Sequence, residues 1–398
     1  MGGDTVKETG GFPSRHARER HARALGRAFK DAMSGADADE QDALDWLGTI
    51  DPSSHVGSRH HVVPRFLLDR WAVKGQVRTY SRLDGSFSPR SVSDLAVKDF
   101  YTFLNKAKVP DSSFETLLGR IESDAAAALG RLVSPFTNGD LSPEDIIHLA
   151  HLAAFQLVRT PRRRRELELH TEWYAKTIAR GVVPDAQLRR LSIEPHQNDT
   201  LRTSMTAAQH LLPYLLCRPL CLIVLDRPRL LTGDEPVIVN TGPDDGTHHP
   251  DCFLTDAQVR AREAKERRKK QRLRRDVGRA VHFRPTRSSG VGVALEIVLP
   301  VSPRAALWWG PLLDAPFVGP VQRERLDEAE SARFAELAND AISSQALDWV
   351  ISSLDDSAFL RRSFPALEPV MRVCDGDNAA ALAVNAVPVR FRPVRLRR

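Results

Sequence analysis

The sequence predicts an α+β fold: a mostly helical N-terminal half with a short β excursion, then a mainly antiparallel β-rich segment closed by a C-terminal helix. Apolar residues recur at helical spacing through much of the first 216 residues. Apolar, β-branched runs follow at 220–225, 237–239, 294–299 and 305–309. Helical spacing returns in residues 325–353. The predicted buried set of that last helix is Phe334, Leu337, Ala341, Ile342, Leu347 and Val350.

The composition predicts a protein with a sizeable core and an anionic partner. The chain has 398 residues, 42% of them apolar, which indicates two or three domains or lobes. A net charge of +6 favours anionic partners such as nucleic acid. The four cysteines form no Cys-x-x-Cys pair, and no signal peptide or membrane-crossing apolar run is evident. We therefore expect a cytoplasmic protein that does not enter membranes.

Changes in composition divide the chain into an extension, a core and a tail. The predicted parts are a partly disordered helical extension (1–58), a core (59–353) with a helical half (59–216) and a β-rich half (217–353), and a C-terminal tail (354–398). A basic insertion at 256–287 interrupts the β-rich half. It contains the run Arg260–Arg275, in which Lys and Arg dominate.

The core opens with a short helix and a β-hairpin. Pro64 suits the start of a helix, and Trp71 belongs to the apolar face behind it. Alternation in residues 76–80 predicts a strand, and residues 83–87 supply the turn after it.

Two long helices follow in the helical half. The residues 112–115 resemble a capping box before a helix that runs through Leu132 and carries Glu122. Ser142 as N-cap and Pro143 at the first position predict the start of the second helix.

The second of these helices has polar side chains inside an apolar run. Apolar residues recur at helical spacing from Ile146 to Leu157, so one face of the helix should be buried. The polar residues along this run are His148, His151, Gln156 and Arg159. Burying such a group without a partner costs about 1–3 kcal/mol. We therefore expect a network of partners, and a candidate site, around this helix.

Short motifs occur in a particular order along the core. His61-Val-Val-Pro64-Arg-Phe-Leu-Leu68 comes first, followed by the helix with Glu122, by Gln156-Leu-Val-Arg159-Thr-Pro161 and by Leu231-Thr-Gly-Asp234-Glu-Pro236. Across about residues 59–353, this order resembles the bacterial domain-of-unknown-function 4238 family. The resemblance implies little about activity, because the family is named for lacking a known one.

The chain departs from that family pattern at several positions. Val62 stands where an aromatic residue is usual after the histidine, and Gly233 and Glu235 flank Asp234 where Ser and Asn are common. The long basic insertion is a further departure. These differences put a role for Glu235 in doubt.

Histidines and carboxylates of the core form a candidate metal site. His61, Glu122 and His151 are the predicted ligands of a divalent metal, for which Mg, Mn or Zn is suitable. The alternative is a hydrogen-bonded polar core without metal. His60-His61-x-x-Pro64 is also similar to the first half of an HNH nuclease, but a helix follows the motif where that site needs a β-hairpin.

Arg159 is the most informative single residue. A guanidinium within an apolar helix face must be neutralised by a carboxylate or be reserved for an anionic ligand. Asp234 and Glu122 are both candidate partners. The sequence leaves open whether Arg159 forms an internal clasp or binds phosphate.

Two basic runs favour contact with nucleic acid. Arg162–Arg165 comes directly after the Arg159 motif, and Arg260–Arg275 lies in the insertion. Trp173 and Tyr174 are available for base stacking. Solvated surface is the alternative interpretation of both runs.

These residues lead to three functional hypotheses. The first is a metal-assisted phosphodiester hydrolase acting on nucleic acid, the second a non-catalytic protein that binds nucleic acid or another phosphate-bearing ligand, and the third a helical-metal oxidoreductase, which the missing Glu-x-x-His spacing disfavours. The predicted catalytic residues are His61, Glu122, Arg159 and Asp234, and the predicted substrate-binding residues are Gln156, Arg162, Arg163 and Asn339.

Overall fold

A computed structural model provides the structure of the chain. The residues it describes are 60–95, 97–98, 103–104, 110–111, 113–134, 141–179, 197–241, 281–285, 290–367, 369–375 and 378–384, with single residues at 184, 187 and 195. The predicted extension before residue 59 and the basic run Arg260–Arg275 lie outside the described residues. The described elements form an α+β fold, as the sequence predicts.

The helices are concentrated in the first half of the chain. Their bounds are α1 Arg65–Leu68, α2 Ser113–Val133, α3 Pro143–Val158, α4 Pro161–Ala179, α5 Gln197–Leu216 and α6 Glu328–Gln345. Within the described residues, no helix is both long enough and apolar enough to span a bilayer.

The strands form several small sheets and one larger one. Their bounds are β1 His60–His61, β2 Gln76–Ser81, β3 Phe87–Ser91, β4 Val97–Lys98, β5 Phe103–Leu104, β6 Pro110–Asp111, β7 Leu220–Val224, β8 Thr232–Gly233, β9 Ile238–Asn240, β10 Val281–Pro285, β11 Glu296–Ser302, β12 Ala305–Trp309, β13 Gln322–Arg325, β14 Trp349–Ser352, β15 Met371–Asp375 and β16 Asn378–Val384. The five-stranded sheet has the order β13-β7-β12-β11-β9 and is antiparallel except where β13 pairs with β7.

Helix α3 starts where the capping residues predict. The Ser142 side chain accepts a hydrogen bond from the Asp145 amide, and the Asp145 carboxylate accepts one from the Ser142 amide. Pro143 takes the first helical position, where its missing N–H has no cost. The helix packs against α2 and α5, which bury almost all of its second half, including Leu152, Gln156 and Leu157.

A four-stranded sheet joins distant parts of the chain. Its order is β3-β2-β14-β8, so that a late strand lies between the early hairpin and the strand that ends at Gly233. A Cβ on Gly233 would lie 2.8 Å from the Trp349 carbonyl oxygen, so a glycine is needed for this close approach.

The predicted helix over residues 325–353 is only partly correct. Helix α6 ends at Gln345, and Val350 is buried in β14 rather than in a helix. Leu337 is 74% exposed on α6, in contrast to the prediction that it is buried. The apolar pattern of residues 347–351 fits a strand as well as a helix, and pairing with β2 decides between them.

Candidate functional site

Arg159 lies at the C-terminal end of α3 and forms an ion pair with Glu122 of α2. The guanidinium Nη1 is 2.6 Å from Glu122 Oε1. The Arg159 side chain is 2% exposed and that of Glu122 is 25% exposed. Of the two predicted partners, Glu122 therefore neutralises the buried cation, and its carboxylate remains open to solvent.

Gln156, less than one helical turn before Arg159, also hydrogen-bonds to the guanidinium. The amide is oriented with its oxygen toward Arg159, because the opposite orientation would set donor against donor. This oxygen accepts hydrogen bonds from Nε, at 2.7 Å, and from Nη2. Arg159 is thus held by two side chains, one from its own helix and one from α2.

His61 of β1 lies within electrostatic reach of this ion pair. Burial lowers the pKa of the imidazole, and the Val92 carbonyl and the Glu122 charge only partly oppose this effect. The imidazole Nε2 is 3.4 Å from the Val92 carbonyl oxygen. That oxygen accepts a hydrogen bond only from the Nε2–H tautomer, which leaves Nδ1 as the basic nitrogen. His61 is therefore a half-buried imidazole that is neutral at pH 7 and interacts electrostatically with Glu122 and Arg159.

Asp234, the other predicted partner of Arg159, has a different role. Its two carboxylate oxygens accept hydrogen bonds from the amides of Leu347, at 3.1 Å, and Asp348, at 2.7 Å. Burial, and then the nearby Asp348 charge, raise the pKa of Asp234 to about 7 despite these amides. Asp234 thus fixes the chain just before β14, and its place in the catalytic set stays a prediction.

Glu235, the residue after Asp234, contacts the start of α4. Its Oε1 accepts a hydrogen bond from the Arg162 amide at 2.9 Å, and the Thr160 hydroxyl donates to the same carboxylate. Burial, and then the Asp234 charge, raise the pKa of Glu235 to about 8. The residue as a whole is partly exposed, but its carboxylate is enclosed.

The first basic run is bound internally. Arg162 is buried and donates through Nε and Nη2 to the Gln345 carbonyl oxygen, at 3.2 and 3.1 Å. Arg163 pairs with Glu166, and Arg164 and Arg165 both pair with Glu168. Arg162 and Arg163 therefore have carbonyl or carboxylate partners within the chain, and their substrate-binding roles stay predictions.

One family match covers both the Arg159 contacts and the Asp234–Glu235 segment. The model of DUF4238, a family described as proteins of unknown function, matches residues 59–259. The chain belongs to the DUF4238 family. No curated protein and no solved structure matches it. The DUF4238 match contains every residue from His61 to Glu235 described above, and it ends well before residue 353, where the sequence resemblance ends.

The DUF4238 core does not bring the predicted metal ligands together. Within the described residues, no group of three or more His, Cys, Asp or Glu side chains could hold a metal ion. His151 lies eight residues before Arg159, about 12 Å away along the helix, and its Nδ1 is 3.1 Å from the Ile147 carbonyl oxygen of its own turn. His148 faces Asp124 instead, with 4.0 Å between Nε2 and Oδ2.

The side chain of Asn339 on α6, the remaining predicted substrate-binding residue, is hydrogen-bonded to backbone groups. Its Oδ1 accepts a hydrogen bond from the Leu231 amide, and its Nδ2 donates to the Arg229 carbonyl, both at 2.8 Å. This bracket fixes the approach to β8. The substrate-binding role of Asn339 stays a prediction.

Sequence reasoning missed the contribution of Thr160, Glu235 and Gln345. The Gln345 amide donates to the carbonyl oxygens of Glu235 and Val237 and so fixes this segment against α6. The signal for Thr160 was present, because Thr before Pro is a common N-cap and first-turn pair. The role of Glu235 has no local signal, since its partner Arg162 is 73 residues away.

Proposed function

We propose that the chain is a phosphodiester hydrolase acting on nucleic acid, with His61, Glu122, Gln156 and Arg159 as its catalytic centre. The observation that carries the proposal is the Arg159 ion pair. A buried guanidinium is held by the side chains of Glu122 and Gln156, with a neutral histidine within electrostatic reach. These residues come from three separate segments of the chain.

Arg159 would bind the scissile phosphate. A phosphate oxygen replaces Glu122 at Nη1, and the partly exposed Glu122 carboxylate then turns to solvent. Gln156 keeps the guanidinium in position during this exchange. The cation then stabilises the negative charge that develops on the phosphorus oxygens as water attacks.

His61 would act as the general base. Because its pKa is lowered, its imidazole is neutral at pH 7 and can accept a proton from water. The Val92 carbonyl fixes the tautomer that leaves Nδ1 for this task. The leaving oxygen takes its proton from solvent.

The metal-assisted form of this reaction keeps His61 and Glu122 as protein ligands. Zn²⁺ accepts both an imidazole and a carboxylate and can take its other ligands from water and phosphate. These two protein ligands would therefore suit assistance by Zn²⁺, in which case His61 would hold the ion instead of acting as the general base. His151 and Asp234 take no part in this proposal, because their contacts lie elsewhere.

A second function is supported by charge alone. Nucleic-acid binding without catalysis would use the run Arg260–Arg275, which adds to the net positive charge of the chain. Such binding weakens steeply as the salt concentration rises from about 50 to 200 mM.

The test measures hydrolysis of bis(p-nitrophenyl) phosphate and of single- and double-stranded oligonucleotides, with EDTA or with added Mg²⁺, Mn²⁺ or Zn²⁺. The wild-type chain should cleave at least one substrate, and His61→Asn should lower the rate by about 10²–10⁴-fold. Thermal unfolding of each variant separates lost chemistry from lost structure. No cleavage under any condition, together with salt-dependent oligonucleotide binding, would replace this proposal by the second function.

A further inference from the structure

At the break between α3 and α4, the neighbouring residues Arg159 and Thr160 contact different partners. Arg159 ends α3 and extends toward Glu122 and Gln156. Thr160 and Pro161 follow at once, and α4 begins at Pro161. Whatever fixes the first turn of α4 therefore also fixes the backbone from which Arg159 extends.

Glu235 fixes that first turn. Its carboxylate accepts hydrogen bonds from the Arg162 amide and from the Thr160 hydroxyl. Thr160 in turn accepts a hydrogen bond from the Arg163 amide through Oγ1, at 3.4 Å. Two of the amides that a helix start leaves without intrahelical partners are thus satisfied, one of them by a residue from the β-rich half.

The Arg162 side chain strengthens the same attachment. It is 4% exposed, and its guanidinium donates to the Gln345 carbonyl oxygen at the end of α6. The Gln345 amide returns to the Glu235 carbonyl oxygen. The start of α4, the end of α6 and the Asp234–Glu235 segment therefore form one hydrogen-bonded unit.

We propose that Glu235 is a positioning residue for Arg159, holding the α3–α4 break so that the guanidinium meets an incoming phosphate in a fixed direction. This inference rests on the proposed function, since it concerns the same guanidinium. Glu235 makes none of the described contacts of Arg159 and acts through the backbone of residues 160–162.

Charge makes this positioning sensitive to pH. Asp234, next to Glu235 in the chain, opposes ionisation of Glu235, whereas Arg162 on α4 favours it, and Asp348 opposes ionisation of Asp234. Burial is the largest effect and raises the pKa of Glu235 to about 8. Near neutral pH the carboxyl group stays protonated and enclosed. Above pH 8 the carboxylate is charged, so it accepts from the Arg162 amide and the Thr160 hydroxyl more strongly and is repelled by Asp234, which changes how the start of α4 is held.

The first experiment follows the Arg159 side chain directly. The full chain is labelled with ¹⁵N-arginine, and the Arg159 Nε–H signal is identified by its loss in Arg159→Lys. In the wild type this signal should shift with an inflection near pH 8. Glu235→Gln keeps an uncharged acceptor for the Arg162 amide and should remove the inflection. Glu336→Gln, an exposed carboxylate on α6, is the matched control and should retain it.

The second experiment measures binding of dimethyl phosphate, a phosphodiester whose charge is constant over this range. Binding should change between pH 7 and pH 9 in the wild type but not in Glu235→Gln. Glu235→Ala should weaken it about tenfold at pH 7, the size of effect expected for one lost helix cap. Absence of wild-type binding would overturn the proposed phosphate site, and the Arg159 signal would still decide the positioning role. An Arg159 signal that titrates alike in wild type and Glu235→Gln would overturn the positioning role itself.

Discussion

Helices α2 and α3 are joined by an ion pair at each end of their contact, and the two pairs are built in opposite ways. Near the connecting loop, Asp145 is the buried member and Arg131 is 49% exposed. At the far end, Arg159 is the buried member and Glu122 is the exposed one. The charge that is buried differs between the two ends, and so does what holds it.

The buried charge at the loop end belongs to the helix start itself. Burial alone would raise the pKa of Asp145, but hydrogen bonds from Arg131 and Ser142 outweigh it and the pKa is lowered. Asp145 would keep its capping bonds if Arg131 left. Arg159, by contrast, is held by side chains, and in the proposed function its partly exposed carboxylate partner Glu122 is exchanged for phosphate. The proposed phosphate site therefore lies at the far end.

The largest expected effect comes from Arg159→Met. If the guanidinium stabilises a transition state, hydrolysis should fall by about 10²–10³-fold. Stability should fall by about 1–3 kcal/mol, because Gln156 loses a buried partner. Rate measurements and urea unfolding on the same protein separate the two effects. Unchanged hydrolysis with lower stability would make both ends of the helix pair structural.

The next effect is on the pH dependence of stability, to which the Asp234–Glu235 pair and Asp145 contribute with opposite signs. The pair has pKa values of about 7 and 8 in the folded chain, above those of ordinary carboxyl groups. Its contribution to stability is therefore complete below about pH 4 and is lost as the pH rises from there to between 7 and 8, by about 1.4 kcal/mol per pH unit for each group. Asp145 has the opposite sign: its contribution is present above about pH 4 and is lost as the pH falls further.

Urea unfolding at pH 5, 7 and 8.5 measures this dependence. Glu235→Gln should flatten the decline toward high pH, whereas the control Glu336→Gln should leave it unchanged. Equal slopes in the wild type and Glu235→Gln would contradict the raised pKa of Glu235.

Asp145→Ala should have a smaller effect, confined to stability. It removes the capping box of α3 and should cost about 1 kcal/mol of unfolding free energy. Hydrolysis should be unchanged, because the Arg159 end of the helix remains in place. A large loss of activity in a folded Asp145→Ala protein would show that the two ends are coupled.

The smallest effect is expected from Arg131→Met, the matched control for Arg159→Met. Both substitutions remove an arginine that pairs with a carboxylate between the same two helices. Arg131 is half exposed, and the buried Asp145 keeps its capping hydrogen bonds without it, so the loss should be small. Neither the urea midpoint nor the hydrolysis rate should change measurably.

Local chemistry in the sequence predicts the helix starts well. Ser142 and Pro143 mark the beginning of α3, and the structure confirms both roles. The same local information fails at β14, because the partner of Val350 is Tyr80, far away along the chain. An apolar run of that length does not reveal which period it follows until its neighbours are known.

The candidate site was predictable only in part, for a similar reason. An arginine among apolar residues indicates that a partner exists, and this led correctly to Glu122 as one of two candidates. Choosing between Glu122 and Asp234 requires knowing that backbone amides already satisfy Asp234. The basic run after Pro161 predicts contact with phosphate, but in the structure Glu166 and Glu168 of the same helix pair with its last three arginines.

The position of β14 between β2 and β8 has a consequence for how the chain is made. On the ribosome, the early hairpin emerges some 270 residues before the strand that covers its open edge, so it must wait with unpaired backbone groups. A fragment trimmed to the matched residues 59–259 lacks β14, so the edges of β2 and β8 that pair with it would stay uncovered. Such a fragment would be prone to self-association. The part of the chain that defines the family therefore depends for its completion on a part outside the match.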